Sequence, residues 1–469
     1  MATSPEVVIV GAGPAGLSAA LALDAAGLRV RVVDEQPAPG GQIYRAVDKV
    51  FDQRPGMLGL YGSDYSEGRK ITGLLPGSGV ELSAGSTVWD ISIESDVLSI
   101  GLLQQGKSEI LYPKHIILAT GAMERPTPFP GWTLPGVMTV GAAQTLFKDS
   151  ALVPDSRPVI VGSGPLVYLF TRQLIACGID SAVLLDTGSR SIPVKAWKDL
   201  LRIAVSDPRP LMKGMSWLRT IRHSNIEHQY GITSLLAKGE NRLQSIEYSR
   251  NGKTFELETD LLLVHDGVIP NSHLAMAAGC EHRWNDQQSY WQPVLDENGL
   301  SSQGNISIIG DSAGITGAES ARWSGQMTGW HVARQLGYID ELRYRQETQS
   351  YHGKMNRIST LRRFLDACYP PFDYFQTPLE VQTIVCRCEG VRSGEIQEVA
   401  KTGCMGPNQG KAFTRCGMGP CMGRQCGNAV SQIFAHCHGK TVEEIGHYKI
   451  RSPIRPITVG ELSRLTIDH

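Results

Sequence analysis

The 469 residues exceed what one ordinary hydrophobic core organises, and chains of this length divide into about three domains. With 45 basic and 46 acidic side chains the net charge is -1, so neither nucleic acid nor an anionic lipid surface is an expected partner. The polar start, Met1 to Glu6, and an apolar run that meets glycine after Val10 predict neither a secretory leader nor a transmembrane segment, and hence a cytoplasmic protein.

Val7 to Val10 reads as a buried parallel strand, Gly11-Ala-Gly13-Pro14-Ala15-Gly16 as a phosphate turn, and Leu17 to Ala26 as the helix that follows. Gly11 permits the tight turn, Gly13 lets a pyrophosphate approach the backbone, and Gly16 lets helix pack on strand. The helix start, at Pro14 and Ala15, offers N–H donors to phosphate. A second strand, Val30 to Val33, ends at Asp34, 23 residues after Gly11, where an acid accepts hydrogen bonds from an adenosine ribose. Glu35 competes for that role, and the strand-end position favours Asp34.

Pro39-Gly40-Gly41-Gln42 looks like the Gly-Gly segment that flavoproteins with two dinucleotide folds run beside the flavin. Val88 falls where such folds bind adenine through the backbone, and Ala119-Thr120-Gly121 resembles their Ala-Thr-Gly strand end. Ile306 to Ala313, with Gly310-Asp311, resembles the late strand whose aspartate binds the ribityl chain, although Asp311 also suits a helix N-cap. In this order the segments predict FAD.

Pro158 to Val167 repeats strand, turn and helix, and Ser181 to Leu185 runs into Asp186 as a second strand would. Val167 stands at the third glycine position and weighs against NAD(P), so NAD(P), another adenine nucleotide and a purely structural role stay open. Asp260 to Asn271 resembles the return from an inserted domain to the FAD domain. This insertion lacks a close cysteine pair, so dithiol exchange is not expected. His265, His273 and His282 read as solvated or capped, not catalytic, and Phe364 to Phe375 as an aromatic, proline-broken connector.

Seven of the ten cysteines lie between Cys386 and Cys437. Cys386-Arg-Cys388, a gap of 32 residues, and Cys421-Met-Gly-Arg-Gln-Cys426 form two close pairs suited to an iron-sulfur cluster, with zinc as the rival. Spacing alone does not exclude Cys416, and Cys437, continuing a helix-like run, reads as a packed thiol.

Over almost its full length the chain resembles the FAD-containing subunit of hydrogen cyanide synthase, opine oxidases and hydroxyproline dehydrogenases. The residues that carry the resemblance are Gly121-Ala-Met-Glu-Arg125-Pro, Phe129-Pro-Gly-Trp132, Gly162-Ser-Gly-Pro-Leu166 and Thr414 to Cys426. The carboxy-terminal part resembles the bacterioferritin-associated ferredoxin-like domain. That likeness implies a 2Fe-2S cluster on Cys386, Cys388, Cys421 and Cys426, with Cys416 not a ligand. The resemblance also implies a hetero-oligomer. A flavoprotein beta-type subunit would oxidise a carbon–nitrogen bond, FMN would lie at an interface between subunits, and a small ferredoxin-like subunit would join the assembly.

The expected fold is α/β, a flavoprotein with two dinucleotide-binding domains. The FAD-binding Rossmann domain covers 1–151 and 266–345 and the inserted NAD-binding-like domain 152–265. A connector follows at 346–380, the 2Fe-2S domain at 381–440 and a tail at 441–469.

Overall fold

The computed structural model describes residues 4–155, 157–377 and 380–467. Val7–Val10 is apolar at every position because both faces of its sheet are covered. It lies at the centre of a parallel sheet ordered Ile306–Ile308, His115–Leu118, Val7–Val10, Val30–Asp34 and Glu81–Ala84. The helices Pro14–Ala25 and Ala318–Gln335 cover one face and meet through small residues. A Cβ on Gly325 would lie 2.2 Å from the Ala15 carbonyl oxygen, so any larger residue there would push the helices apart. Against the other face the strands Ser86–Glu94, Val97–Gln104 and Lys107–Leu111 form an antiparallel sheet that buries Ile91, Ile100 and Leu102 beside Val8 and Ile116.

A second parallel sheet runs Glu227–Tyr230, Val183–Asp186, Val159–Gly162, Leu262–His265 and Val137–Thr139. The last of these strands precedes residue 152, where the sequence places the start of the insertion. Val137 pairs with Leu262, and this long-range ladder, invisible to local pattern, moves the sheet's beginning upstream. Two short strands, Ala122–Glu124 and Val268–Pro270, pair antiparallel where the chain passes between the two parallel sheets.

A 28-residue helix, Glu341–Cys368, follows. Asp340 caps it by accepting the Arg343 amide at 2.8 Å, and Pro370-Pro371 stand just beyond its end. The cysteine-rich unit is a hairpin of Ile384–Cys386 and Val391–Arg392 with the helices Ser393–Lys401, Pro407–Thr414 and Gly427–His438. Its core joins Val385, Ile396, Ile433 and Phe434 to Cys386, Cys404, Cys416 and Cys426. Cys437, expected as a packed thiol, is exposed because it lies on the outer face of the last helix.

The tail returns to the antiparallel sheet beside the first parallel sheet. The Ile454 amide donates to the Trp89 carbonyl at 2.7 Å, and Thr466–Ile467 adds a strand beside Lys107–Leu111. Among the described residues no helix is long and apolar enough to cross a membrane.

Candidate functional site

The phosphate turn is built by glycines that nothing larger could replace. Gly11 has φ +112, and a Cβ there would come 2.3 Å from the Ala119 carbonyl oxygen; at Gly16 it would meet the Gly11 carbonyl oxygen at 1.9 Å. Gly13 meets only the Gly41 Cα, at 3.8 Å, so its backbone faces an open cradle. Pro14 opens the helix Pro14–Ala25 and no side chain caps it, which leaves first-turn donors for a diphosphate. The donor set and the unfilled space fit the diphosphate of a dinucleotide.

Asp34 and Glu35 make different contacts. The Asp34 carboxylate holds the turn, accepting from the Ala12 amide at 2.6 Å and the Gln36 amide at 2.7 Å. Burial pushes its pKa up, and the two amides oppose that shift. Glu35 is the more open acid at the strand end and pairs at 2.5 Å with Arg455 from the tail. Gly40 and Gly41 both have positive φ, and the Gly40 amide donates to the Ala12 carbonyl at 2.8 Å, which lays the Gly-Gly segment against the phosphate turn. The Gln42 side chain accepts from Arg45 at 2.9 Å.

Lys148 carries no sequence signal, yet it is buried with its ammonium 3.1 Å from the Ile43 carbonyl and 3.4 Å from that of Gln42. Burial, with the nearby Arg45 charge, brings its pKa down to about 8.

Val88 is buried in the antiparallel sheet with Val33 and Ile454. Ala119 continues the strand end by donating to the Val10 carbonyl at 2.8 Å. Thr120 Oγ1 donates to the Asn271 carbonyl at 2.7 Å, and the Asn271 amide to the Gly121 carbonyl at 2.9 Å. Gly310 has φ +66. Asp311 accepts through Oδ1 from the Thr316 and Gly317 amides, each at 2.9 Å, so it shapes the entry to the helix Ala318–Gln335.

In the cysteine-rich unit the sulfurs of Cys386, Cys416 and Cys426 all lie within 4.8 Å of one another and are buried. Cys388 and Cys421 make a second contact, thiol to thiol. The structure thus gathers Cys386, Cys416 and Cys426 in one group and Cys388 with Cys421 in a second, and does not set Cys416 apart from Cys426. Hydrogen bonds from the Cys416 and Cys426 thiols hold Cys386 far below the usual thiol range, so one thiolate is shared among three sulfurs. This soft, partly ionised donor set fits an iron-sulfur cluster and also zinc.

The loop depends on tight approaches. A Cβ on Gly419 would lie 2.3 Å from the Cys388 Cβ, and one on Gly417 would lie 2.6 Å from the Tyr448 ring. Tyr448, which the sequence did not single out, donates its hydroxyl to the Cys416 carbonyl at 2.9 Å.

Between this loop and the FAD domain lies a cleft lined by Asn271, His273, Trp291, Arg424, His447 and Tyr448. His273 and Trp291 each keep a buried ring nitrogen with no partner among the described residues. Of the histidines expected to be solvated or capped, His265 and His273 are buried, His265 bonding Glu124 at 2.7 Å, whereas His282 is half-buried with Nδ1 2.8 Å from the Cys280 carbonyl; burial pushes His273 to about 3 and His282 to about 4. The His265 partner lies 141 residues away, beyond the reach of local reading.

Two parallel dinucleotide folds, one inserted in the other, with an open glycine cradle in the first, define an FAD-dependent flavoprotein oxidoreductase fold. The chain belongs to the pyridine nucleotide-disulphide oxidoreductase family, whose model matches residues 5–337. It is 36% identical to one of the opine oxidase subunits of Rhizobium meliloti, over 98% of this chain and 87% of that one. To the HcnB subunit of hydrogen cyanide synthase from Pseudomonas protegens it is 29% identical, over 96% of each chain. The L-proline dehydrogenase structure from P. horikoshii shares the fold, with a TM-score of 0.71 and 21% identity over 98% of this chain and 79% of that one.

Proposed function

We propose that this chain is the FAD- and 2Fe-2S-containing subunit of a heteromeric amine or imino acid dehydrogenase of opine, hydroxyproline or glycine type. A flavoprotein beta-type subunit removes electrons from the substrate's CH–NH group, and this chain passes them to an acceptor. FMN at the interface between the two and a small ferredoxin-like subunit belong to the same reading. The similarity to the opine oxidase and hydrogen cyanide synthase subunits supports it.

The observation that carries the proposal is the junction. The segment Ile269 to Met276 has the Thr120-Gly121 strand end on one side and the cysteine loop, through Gly423 and Arg424, on the other. Two redox groups held in these cradles share one protein wall. FAD exchanges an electron pair for single electrons and the cluster carries single electrons. The protein's part is to hold and shield: the Gly13 turn and helix start bind the diphosphate, the cysteine sulfurs bind iron, and Trp291, His447 and Tyr448 close the cleft between them.

Cofactor analysis tests this. The chain purified with its partner subunit should contain FAD and about two irons and two sulfides per chain. A cyclic imino acid or opine should bleach the flavin of the complex and not that of the lone chain. Rapid bleaching of the lone chain by NADH would make it a self-sufficient reductase and overturn the proposal.

A further inference from the structure

We infer that the second dinucleotide fold takes no nucleotide, because its cradle is filled from within by Tyr369 at the end of the long helix Glu341–Cys368. The family to which the chain belongs implies a pyridine nucleotide in this fold, and the residues present do not fit one. Gly162 keeps the tight turn, since a Cβ there would lie 2.1 Å from the His265 carbonyl oxygen. At Gly164, where a pyrophosphate needs bare backbone, the Tyr369 ring covers the glycine: a Cβ would meet its Cγ at 3.7 Å and its Cβ at 3.9 Å. The equivalent Gly13 of the first fold faces only glycine backbone.

The ribose end is closed as well. Asp186 is wholly buried; its Oδ2 accepts from the Tyr168 hydroxyl at 2.8 Å and contacts His228 Nε2 at 3.0 Å, while Oδ1 accepts the Gly188 amide at 2.8 Å. Thr187 follows it, so the position that Glu35 holds in the first fold carries no acid here. Ser163 of the glycine turn packs against the next loop, where a Cβ on Gly188 would lie 3.1 Å from the Ser163 Cβ. Tyr369 and Tyr168 meet edge to face with centroids 6.1 Å apart, and His228 stacks on Tyr230 at 4.2 Å. Val167, fully buried at the third glycine position, completes the filling. The phosphate turn has become the socket that anchors the connector, three residues before the Phe372 amide bonds Asp266 at 2.7 Å.

The test uses the full chain loaded with FAD, titrated anaerobically with NADH, NADPH and ATP by calorimetry and flavin absorbance. No saturable binding and no bleaching are expected up to millimolar concentration, whereas saturable binding of any of the three overturns the inference. Tyr369→Ala checks the plug itself. It should lower the thermal midpoint by several degrees and expose the connector to limited proteolysis, with FAD and iron contents unchanged and Tyr369→Phe like the wild type. A Tyr369→Ala chain as stable and as protease-resistant as the wild type would also overturn it. These readouts do not depend on substrate or partner, so the relay proposal can fail while this inference stands.

Discussion

The guanidinium of Arg125 and the carboxylate of Asp266 meet at 3.3 Å, both almost fully buried, where the chain crosses between its two dinucleotide folds. Arg125 also donates to the main-chain carbonyls of Asp266, Gln288 and Ser289 at 2.9, 2.6 and 2.7 Å. Asp266 in turn accepts from the Phe372 amide and, at 2.8 Å, from the Gln376 side chain. One ion pair therefore binds both crossings and the connector. Burial pushes the Asp266 pKa up to about 6, and the guanidinium opposes the shift, so the group is ionised at neutral pH.

Removing one member of this pair leaves a buried charge without compensation, at a cost of about 3–5 kcal/mol. Arg125→Ala should lose that much in chemical denaturation. Arg125→Lys should recover little of it, because a single ammonium cannot replace a planar fork spread over three carbonyls and a carboxylate. Full stability in the lysine variant would show that charge alone, not geometry, holds the crossing.

Five thiols converge in the cluster unit, whereas a two-iron cluster takes four, two on each iron. Cys388 with Cys421 makes one such pair, while Cys386 has two buried neighbours, Cys416 and Cys426, and an iron with two thiolates has room for one of them. The likeness to the bacterioferritin-associated ferredoxin-like domain leaves Cys416 out of the ligand set; on that reading Cys416→Ala should keep about two irons per chain, and Cys421→Ser should lose the cluster while FAD stays bound. Iron and labile sulfide assays decide it. Loss of iron from the alanine variant would place Cys416 among the ligands.

The acids at the end of the second strand separate binding from folding. Asp34→Asn exchanges one accepting oxygen for a donor that would face a main-chain amide, so the glycine turn should lose stability by about 1–3 kcal/mol, and flavin with it. Glu35→Ala should lower retained FAD per chain without moving the unfolding midpoint of the flavin-free chain, because its partner Arg455 keeps access to solvent. Equal flavin content in wild type and Glu35→Ala after exhaustive dialysis would remove Glu35 from the site.

The glycine turns and the four-residue apolar strands were legible because each needs a residue type at a fixed local spacing. Gly11, Gly16 and Gly162 cannot carry a side chain in this backbone, and Val7–Val10 cannot be polar. What stayed hidden depends on partners far along the chain. Val137–Thr139 is three half-buried residues until Leu262–His265 pairs with it. Arg455 meets Glu35 across 420 residues, and Tyr448 reaches Cys416 from a tail without a motif. Tyr369 is one aromatic among several in a proline-broken stretch, and only its position over Gly164 gives it a role.

Acid should weaken the fold through histidines that stay neutral inside it. His115 opens the strand His115–Leu118, paired with Val7, and is buried with Nε2 3.0 Å from Ser307 Oγ; burial pushes its pKa down to about 3, helped by His331. The folded value lies below the unfolded one of about 6.5, so between those two the unfolded chain binds a proton that the folded chain refuses. Stability is thus intact above pH 6.5 and falls as the pH drops, by about 3 kcal/mol at pH 4 for this one group. His273 and His282 titrate in the same window and steepen the loss. His115→Gln cannot take up the proton in either state. Urea denaturation at several pH values should show the variant less stable than the wild type at pH 7, with the gap narrowing towards pH 4. A constant gap across that range would mean that His115 is protonated in the folded protein, with a counter-charge close enough to offset its burial.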